Sequence, residues 1–429
     1  MFHMGWFLSY QVQSWRDAWA GRGSTEWVSP DIYIDMARAL ERAGFDYLMF
    51  EDGCFVPDSY GSSRDYFLRN ASAVPKHDPL ILLATLARAT SHIGLIATMT
   101  TTFYPPFIAA RLMATLDHLS GGRVGANLVT SHNIRTAQNY GLSEQIEHDQ
   151  RYAIAGEWVD AVTALWDSWE PGAVQADLES GVFTDPAKVH PVDFAGPHFR
   201  TRGPLNIPGG PQGRPVICQA GGSPAGRDFG ARYADTILAQ VGSIEQMKAY
   251  RKDISARAAA HGRDPHDVKV LFIASFVIAD TDAAAEEIYR RQAAATQANI
   301  EANLVAMSYA SGKDFAQYDL DAPIPDVRTN AARATTEHHL QLRDGAKTLR
   351  DIAEKPVHTV RFTGSPDTVA GQMGEAMQHA GGDGYLVSGP VNRRYIAEIA
   401  DGLGPALRRR GLIRDKYAQP TLRGNLREF

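Results

Sequence analysis

The chain has 429 residues, 44% of them hydrophobic and 21% charged, a composition that supports a large buried core and excludes a disordered or low-complexity protein. Its 43 basic and 49 acidic residues leave a formal net charge of −6, which gives the surface no general attraction for nucleic acid or anionic lipid. No window is long and apolar enough to span a membrane and no basic leader precedes an apolar run, so a cytoplasmic protein is expected.

In chain order, short apolar runs alternate with stretches of helical periodicity, the pattern of βαβ units around a parallel sheet. The runs cover residues 4–10, 45–50, 93–99, 123–129, 215–220, 236–240, 268–278 and 384–388. Eight strands are the number that closes a TIM (β/α)8 barrel, which sets the expected fold class as α/β and the domain as a single unit, 1–429. A doubly wound open sheet uses the same alternation, but it begins with a Gly-rich dinucleotide turn, and Phe7-Leu8-Ser9-Tyr10-Gln11 has none. Two stretches, about 170–213 and 305–355, are too long for ordinary connections and are expected as insertions at the catalytic face, candidates for lids.

Candidate chemistry gathers at the strand ends, where barrels keep it. Strand two ends in Glu51-Asp52-Gly53, strand three in Thr98-Met99-Thr100, strand four in Asn127 through Asn133, and strand five in Gln219-Ala220-Gly221-Gly222-Ser223-Pro224. In that last turn Ser223 stands where an N-cap belongs and Pro224 at the first helical position, while Gly222 lets backbone N–H groups approach a ligand. Such a helix start suits a phosphate, and equally serves as a plain cap. His148 and Tyr152 are four residues apart on the next candidate helix, so they project from one side of its first turns. Cys54 and Cys218 are too few for a disulfide framework and lack metal-ligand spacing, as do the histidines, so no metal is expected. Neither a Gly-x-Ser-x-Gly elbow nor a Walker loop is present, which favours chemistry supplied by a cofactor.

Several motifs together resemble the nitrilotriacetate and dibenzothiophene-sulfone monooxygenase branch of the bacterial luciferase-like superfamily. They are Phe50-Glu51-Asp52-Gly53, the run from Ala97 through Phe107, Leu116 through Arg123, Asn127-Leu128-Val129-Thr130-Ser131, Glu147 through Tyr152, Pro211 through Pro215, and Thr421 through Leu426. The resemblance implies a TIM-type barrel that takes FMN as reduced FMNH2 from a separate NAD(P)H:flavin reductase. Oxygen would add to it as a peroxyflavin that oxidises a small organic substrate at sulfur, nitrogen or a carbonyl. It places Asp52, Thr98 and Asn127 around the isoalloxazine and ribityl chain, and His148, Tyr152 and Ser223 at the phosphate. It also implies a homodimer or homotetramer. An F420-dependent oxidoreductase on the same barrel and a non-catalytic flavin-binding protein remain as alternatives. Trp6, Tyr10, Trp15 and Trp19 are candidates for an apolar wall around the flavin or for ordinary core packing. The loop Gln11 through Trp19 departs from the branch's usual pattern, which leaves the substrate open, and Arg16, Arg64 and Arg135 are candidates to bind an anion.

Overall fold

The computed structural model describes all residues except 13, 14, 16–22, 295, 326, 328, 342–345 and 355–358. Nine parallel strands make the main sheet: β1 (His3–Ser9), β2 (Tyr47–Glu51), β3 (Gly94–Thr100), β4 (Val124–Val129), β5 (Val216–Gln219), β6 (Thr236–Ala239), β7 (Lys269–Ile278), β8 (Val360–Gly364) and β9 (Gly384–Val387). From β1 to β7 each strand pairs with the next, and β9 closes the ring by pairing with both β7 and β1. The protein is therefore a closed eight-stranded TIM barrel. The ninth strand, β8, was not among the sequence expectations; it joins the outer half of β7 from Ala274 to Ile278, sharing only Ala274 with the register of β9.

Strand residues alternate between two cores, which is why the strands read as unbroken apolar runs. In β2, Tyr47 and Met49 point into the barrel with Ile96, Cys218 and Leu386. Leu48 and Phe50 point outward into the layer between sheet and helices. Cys218 is thus a packing residue, and burial pushes its thiol pKa up.

The C-terminal segment closes the N-terminal mouth. Leu422 and Leu426 of the short helix Leu422–Leu426 belong to the interior core. A Cβ on Gly94 would lie 2.4 Å from Leu422 Cδ1, so a larger residue at the start of β3 would push the plug's leucine aside. Arg423 binds Asp235 at 2.9 Å, and the buried Arg414 binds Asp46, which also bonds His3 at 2.9 Å.

The two insertions occupy opposite ends of the barrel. Residues 170–213 follow the helix α1 (His148–Trp166), whose C-terminal end lies at the N-terminal face because barrel helices run back against the strands. This insertion forms two small hairpins, and Gln212 ties it to the start of β4 through Val124 O (2.9 Å) and to Asp117 through the backbone N–H (3.1 Å). It therefore sits away from the catalytic face, contrary to its expected place. The second insertion lies over the catalytic face. Its helix α2 (Gln297–Ser311) brings Tyr309 against Phe55, ring centroids 5.6 Å apart, and its helix α3 (Arg333–Gln341) pairs Arg333 with Glu147 at 3.2 Å.

Among the described residues, Trp6, Tyr10 and Trp15 do not form one wall. Trp6 is fully buried in the outer core, edge-on to Tyr395, while the Tyr10 hydroxyl donates to Val28 O (3.0 Å) and the Trp15 indole to Asn70 O (3.2 Å). Trp19 and Arg16 lie outside the described residues. No helix among the described residues is long and apolar enough to cross a membrane.

Candidate active site

At the C-terminal mouth the inward-facing strand positions stop packing against one another and line a cavity of about 190 Å³. Period-two alternation selects them: Met49 faces the interior, so Glu51 does; Ile96 does, so Thr98 and Thr100 do. Asp52, Thr98 and Asn127 are all on this wall. Thr98 and Asn127 are cross-strand partners, and the Asn127 amide donates to Thr98 Oγ1 at 2.8 Å. Asn127 Oδ1 is left buried without a partner, as is His132 Nε2 one turn of loop further on. Ser131 holds a left-handed φ of 49° at the end of β4, and its hydroxyl donates to Thr100 Oγ1 at 2.9 Å. A non-glycine residue in that region is sparsely populated, and such strain collects at functional sites.

A second cluster adjoins the cavity through the β5 turn. Ala220 lines the cavity, and three residues later Ser223 caps the helix Pro224–Tyr233, accepting from Gly226 N at 3.1 Å. With consecutive Cα atoms 3.8 Å apart, about 11 Å is the most that can separate the two. The Tyr152 hydroxyl lies close enough to the Ser223 and Gln219 side chains for both to act on its pKa. A Cβ on Gly221 would lie 2.5 Å from the Tyr152 hydroxyl and 2.3 Å from Gln219 Nε2, so this turn reaches the tyrosine only as glycine. Gly222 lies under the second insertion, 3.0 Å from Ala334 by the same measure. His148 is buried beside Tyr152, ring centroids 5.3 Å apart, and bonds Asp149 at 2.6 Å. The structure thus brings His148, Tyr152, Gly222 and Ser223 together, and Asp52, Thr98 and Asn127 together, in adjoining halves of one site.

Charge is distributed unevenly. Burial raises the Asp52 pKa, and Gly53 N–H, donating at 2.8 Å, offsets part of that. Burial, reinforced by the nearby Arg151 guanidinium, lowers His132 to about 4, so its imidazole is neutral at pH 7. Burial also raises the Tyr152 hydroxyl, with the neighbouring Ser223 side chain opposing. Arg151 itself is buried, anchored to Asn330 O (2.9 Å) and Ile146 O (2.5 Å), with Nε unpartnered.

The luciferase-like monooxygenase profile matches residues 2–384. The chain belongs to that family. It is 36% identical to the dibenzothiophene-sulfone monooxygenase of Rhodococcus erythropolis across 98% of this chain and 95% of that one. It is 34% identical to nitrilotriacetate monooxygenase component A of Aminobacter aminovorans, across 92% and 89%. Among solved structures, a riboflavin lyase crystallised with modified FMN and riboflavin superposes with a TM-score of 0.90 at 29% identity, covering 100% and 96% of the two chains. This luciferase-like chain is a flavin-dependent monooxygenase of the branch its motifs resembled.

Parts of this luciferase-like site had no sequence signal. Tyr309 arrives from the second insertion, and Lys76, buried against Glu51 at 2.5 Å, sits in a loop. Arg151 was visible inside the Glu147–Tyr152 motif, and its burial follows only from the insertion that covers it. Cys54, just past β2, does face the cavity.

Proposed function

We propose that this chain is a two-component monooxygenase that takes reduced FMN from a separate NAD(P)H:flavin reductase and uses O2 to oxidise a small organic molecule. The observation that carries the reading is the convergence of the Tyr152 hydroxyl, the Ser223 helix start and the Arg151 cation beside a cavity whose wall holds the unpartnered Asn127 oxygen. A phosphate suits the first three, because helix N-termini and cations favour an anion. A flavin ring suits the cavity, since a ring N–H would satisfy Asn127 Oδ1 on a wall that also carries the Phe7, Phe55, Tyr104 and Tyr309 rings.

Asp52, Thr98 and Asn127 would then border the ring, with His148, Tyr152, Gly222 and Ser223 at the phosphate. Bound reduced flavin would supply the two electrons and the carbon framework on which O2 is activated. The chain's own work is to hold that ring, keep water from it and present a substrate, which is the work of Phe7, Phe55, Tyr104 and Tyr309 on the wall and of the second insertion above.

The protein should be mixed with FMN, a flavin reductase, NADH and ¹⁸O2, and substrate candidates screened for one labelled oxygen in the product. Label in a product, dependent on both the reductase and the protein, is the expected result. Tight flavin binding with no labelled product from any candidate would favour a flavin carrier. Turnover with the deazaflavin F420 in the absence of O2 would favour the hydride-transfer alternative.

A further inference from the structure

The cavity wall carries charge of one sign. Glu51 and Asp52 line it, and no lysine or arginine does among the described residues. Glu51 is already engaged, accepting from Lys76 Nζ at 2.5 Å and from Ser9 Oγ. The Lys76 side chain is only 3% exposed, so it lies behind the wall and offers a ligand no free cation. Among the described residues Asp52 has no counter-ion in contact, the buried Lys76 acting on it only through space; its hydrogen bonds come from Gly53 N–H at 2.8 Å and the Cys54 thiol at 3.6 Å, both neutral donors.

The remaining ionisable groups on the wall are uncharged at neutral pH. Burial lowers His132 to about 4 and raises Cys54 to about 11 and Tyr104 to about 12. The rest is largely aromatic, with Phe55 and Tyr309 stacked at 14°. Outside Phe55 lies a wider basin of about 730 Å³, lined by Arg64 and Arg135, two of the three arginines considered for anion binding. Arg135 there is held by Asp58 at 2.8 Å, and Arg64 shares the basin with Asp65, so its arginines and aspartates balance.

A carboxylate entering this cavity would lose its hydration, find no cation and face the Asp52 charge across a low-dielectric gap. An uncharged molecule incurs none of these penalties and gains contact with the aromatic wall. We propose that the molecule oxidised here is uncharged and mainly apolar, and that carboxylate-bearing analogues are rejected at the cavity wall. The oxidation rests on the flavin reading above, whereas the charge selection belongs to the chain's own side chains.

The test uses matched pairs: methyl phenyl sulfide, acetophenone and N,N-dimethylaniline, each against its para-carboxylate, titrated calorimetrically into the protein with and without FMN. At least one neutral probe should bind about tenfold or more tighter than its carboxylate partner, and Asp52→Asn should narrow that ratio by improving carboxylate binding. Carboxylates binding as tightly as their neutral partners, or none of the six probes binding, would overturn the proposal. FMN affinity is read separately in the same samples. Failure to bind reduced FMN in anaerobic samples refutes the flavin reading, and the probe ratio on cofactor-free protein still decides this one.

Discussion

Tyr152 and Ser223 carry the phosphate half of the account through single hydroxyls. Tyr152→Phe and Ser223→Ala should each weaken reduced-FMN binding by about 1–3 kcal/mol, the range for a hydrogen bond to a charged group. Anaerobic fluorescence titration reads this directly, and unchanged affinity in both variants would move the phosphate elsewhere. Gly221→Ala should be worse than either, because its Cβ would collide with Gln219 and Tyr152 and displace the turn that connects the two halves. His132 makes a pH prediction. Its ordinary pKa is 6.5 and burial lowers it to about 4 in the fold. Between those values only the unfolded chain takes up the proton, so its contribution to stability is intact above pH 6.5 and declines as pH falls towards 4, by up to about 3 kcal/mol. Denaturation midpoints at pH 7 and pH 5 should therefore differ less in His132→Asn than in the wild type; an equal pH dependence would place the titration elsewhere.

Among the elements, the second insertion is the one that reaches the site. Asn330 clips it down by donating to Ile146 O at 3.1 Å, and Arg333 pairs with Glu147 at 3.2 Å across half-exposed side chains. The exposed ion pair is weakened by solvent screening, so the clip matters for closure rather than for global stability. The double variant Asn330→Ala, Arg333→Ala should keep its denaturation midpoint and release more hydrogen peroxide per NADH consumed. Unaltered coupling would remove the insertion from the business of excluding water. The two insertions were indistinguishable in the sequence, both being long and rich in loop signals. What separates them is position: one follows α1 and packs by Gln212 against the start of β4 at the N-terminal face, whereas the other, reached from β7 through the helix Asp282–Gln292, brings Tyr309 to the cavity at the catalytic face. β8 escaped notice for a local reason, since Val360-Arg361-Phe362-Thr363-Gly364 is short and alternates with an exposed arginine, unlike the barrel strands buried on both sides.

On the scale of the whole molecule, the barrel is sealed at one end and open at the other. Leu422→Ala should open a void in the plug and cost about 2–5 kcal/mol. Arg414→Ala should cost about 3–5 kcal/mol by leaving Asp46 buried without its cation. Denaturant midpoints check both, and small shifts would mean the tail merely rests on the barrel. Local rules made much of this legible. Period-two alternation put Thr98, Asn127 and the residues after β2 at one mouth, and helical spacing put His148 beside Tyr152. Contacts between distant segments were not legible: Tyr309 meets Phe55 across about 250 residues of chain, and Trp6 faces the outer core because β1 enters the barrel with Gly5 and Phe7 inward. The most direct test of the whole account is a crystal structure of the protein soaked with FMN. The phosphate is expected between Tyr152 and the Ser223 helix start, with the ring beside Thr98, Asn127 and Asp52; a flavin bound elsewhere, or a cavity that stays closed to it, would contradict the account.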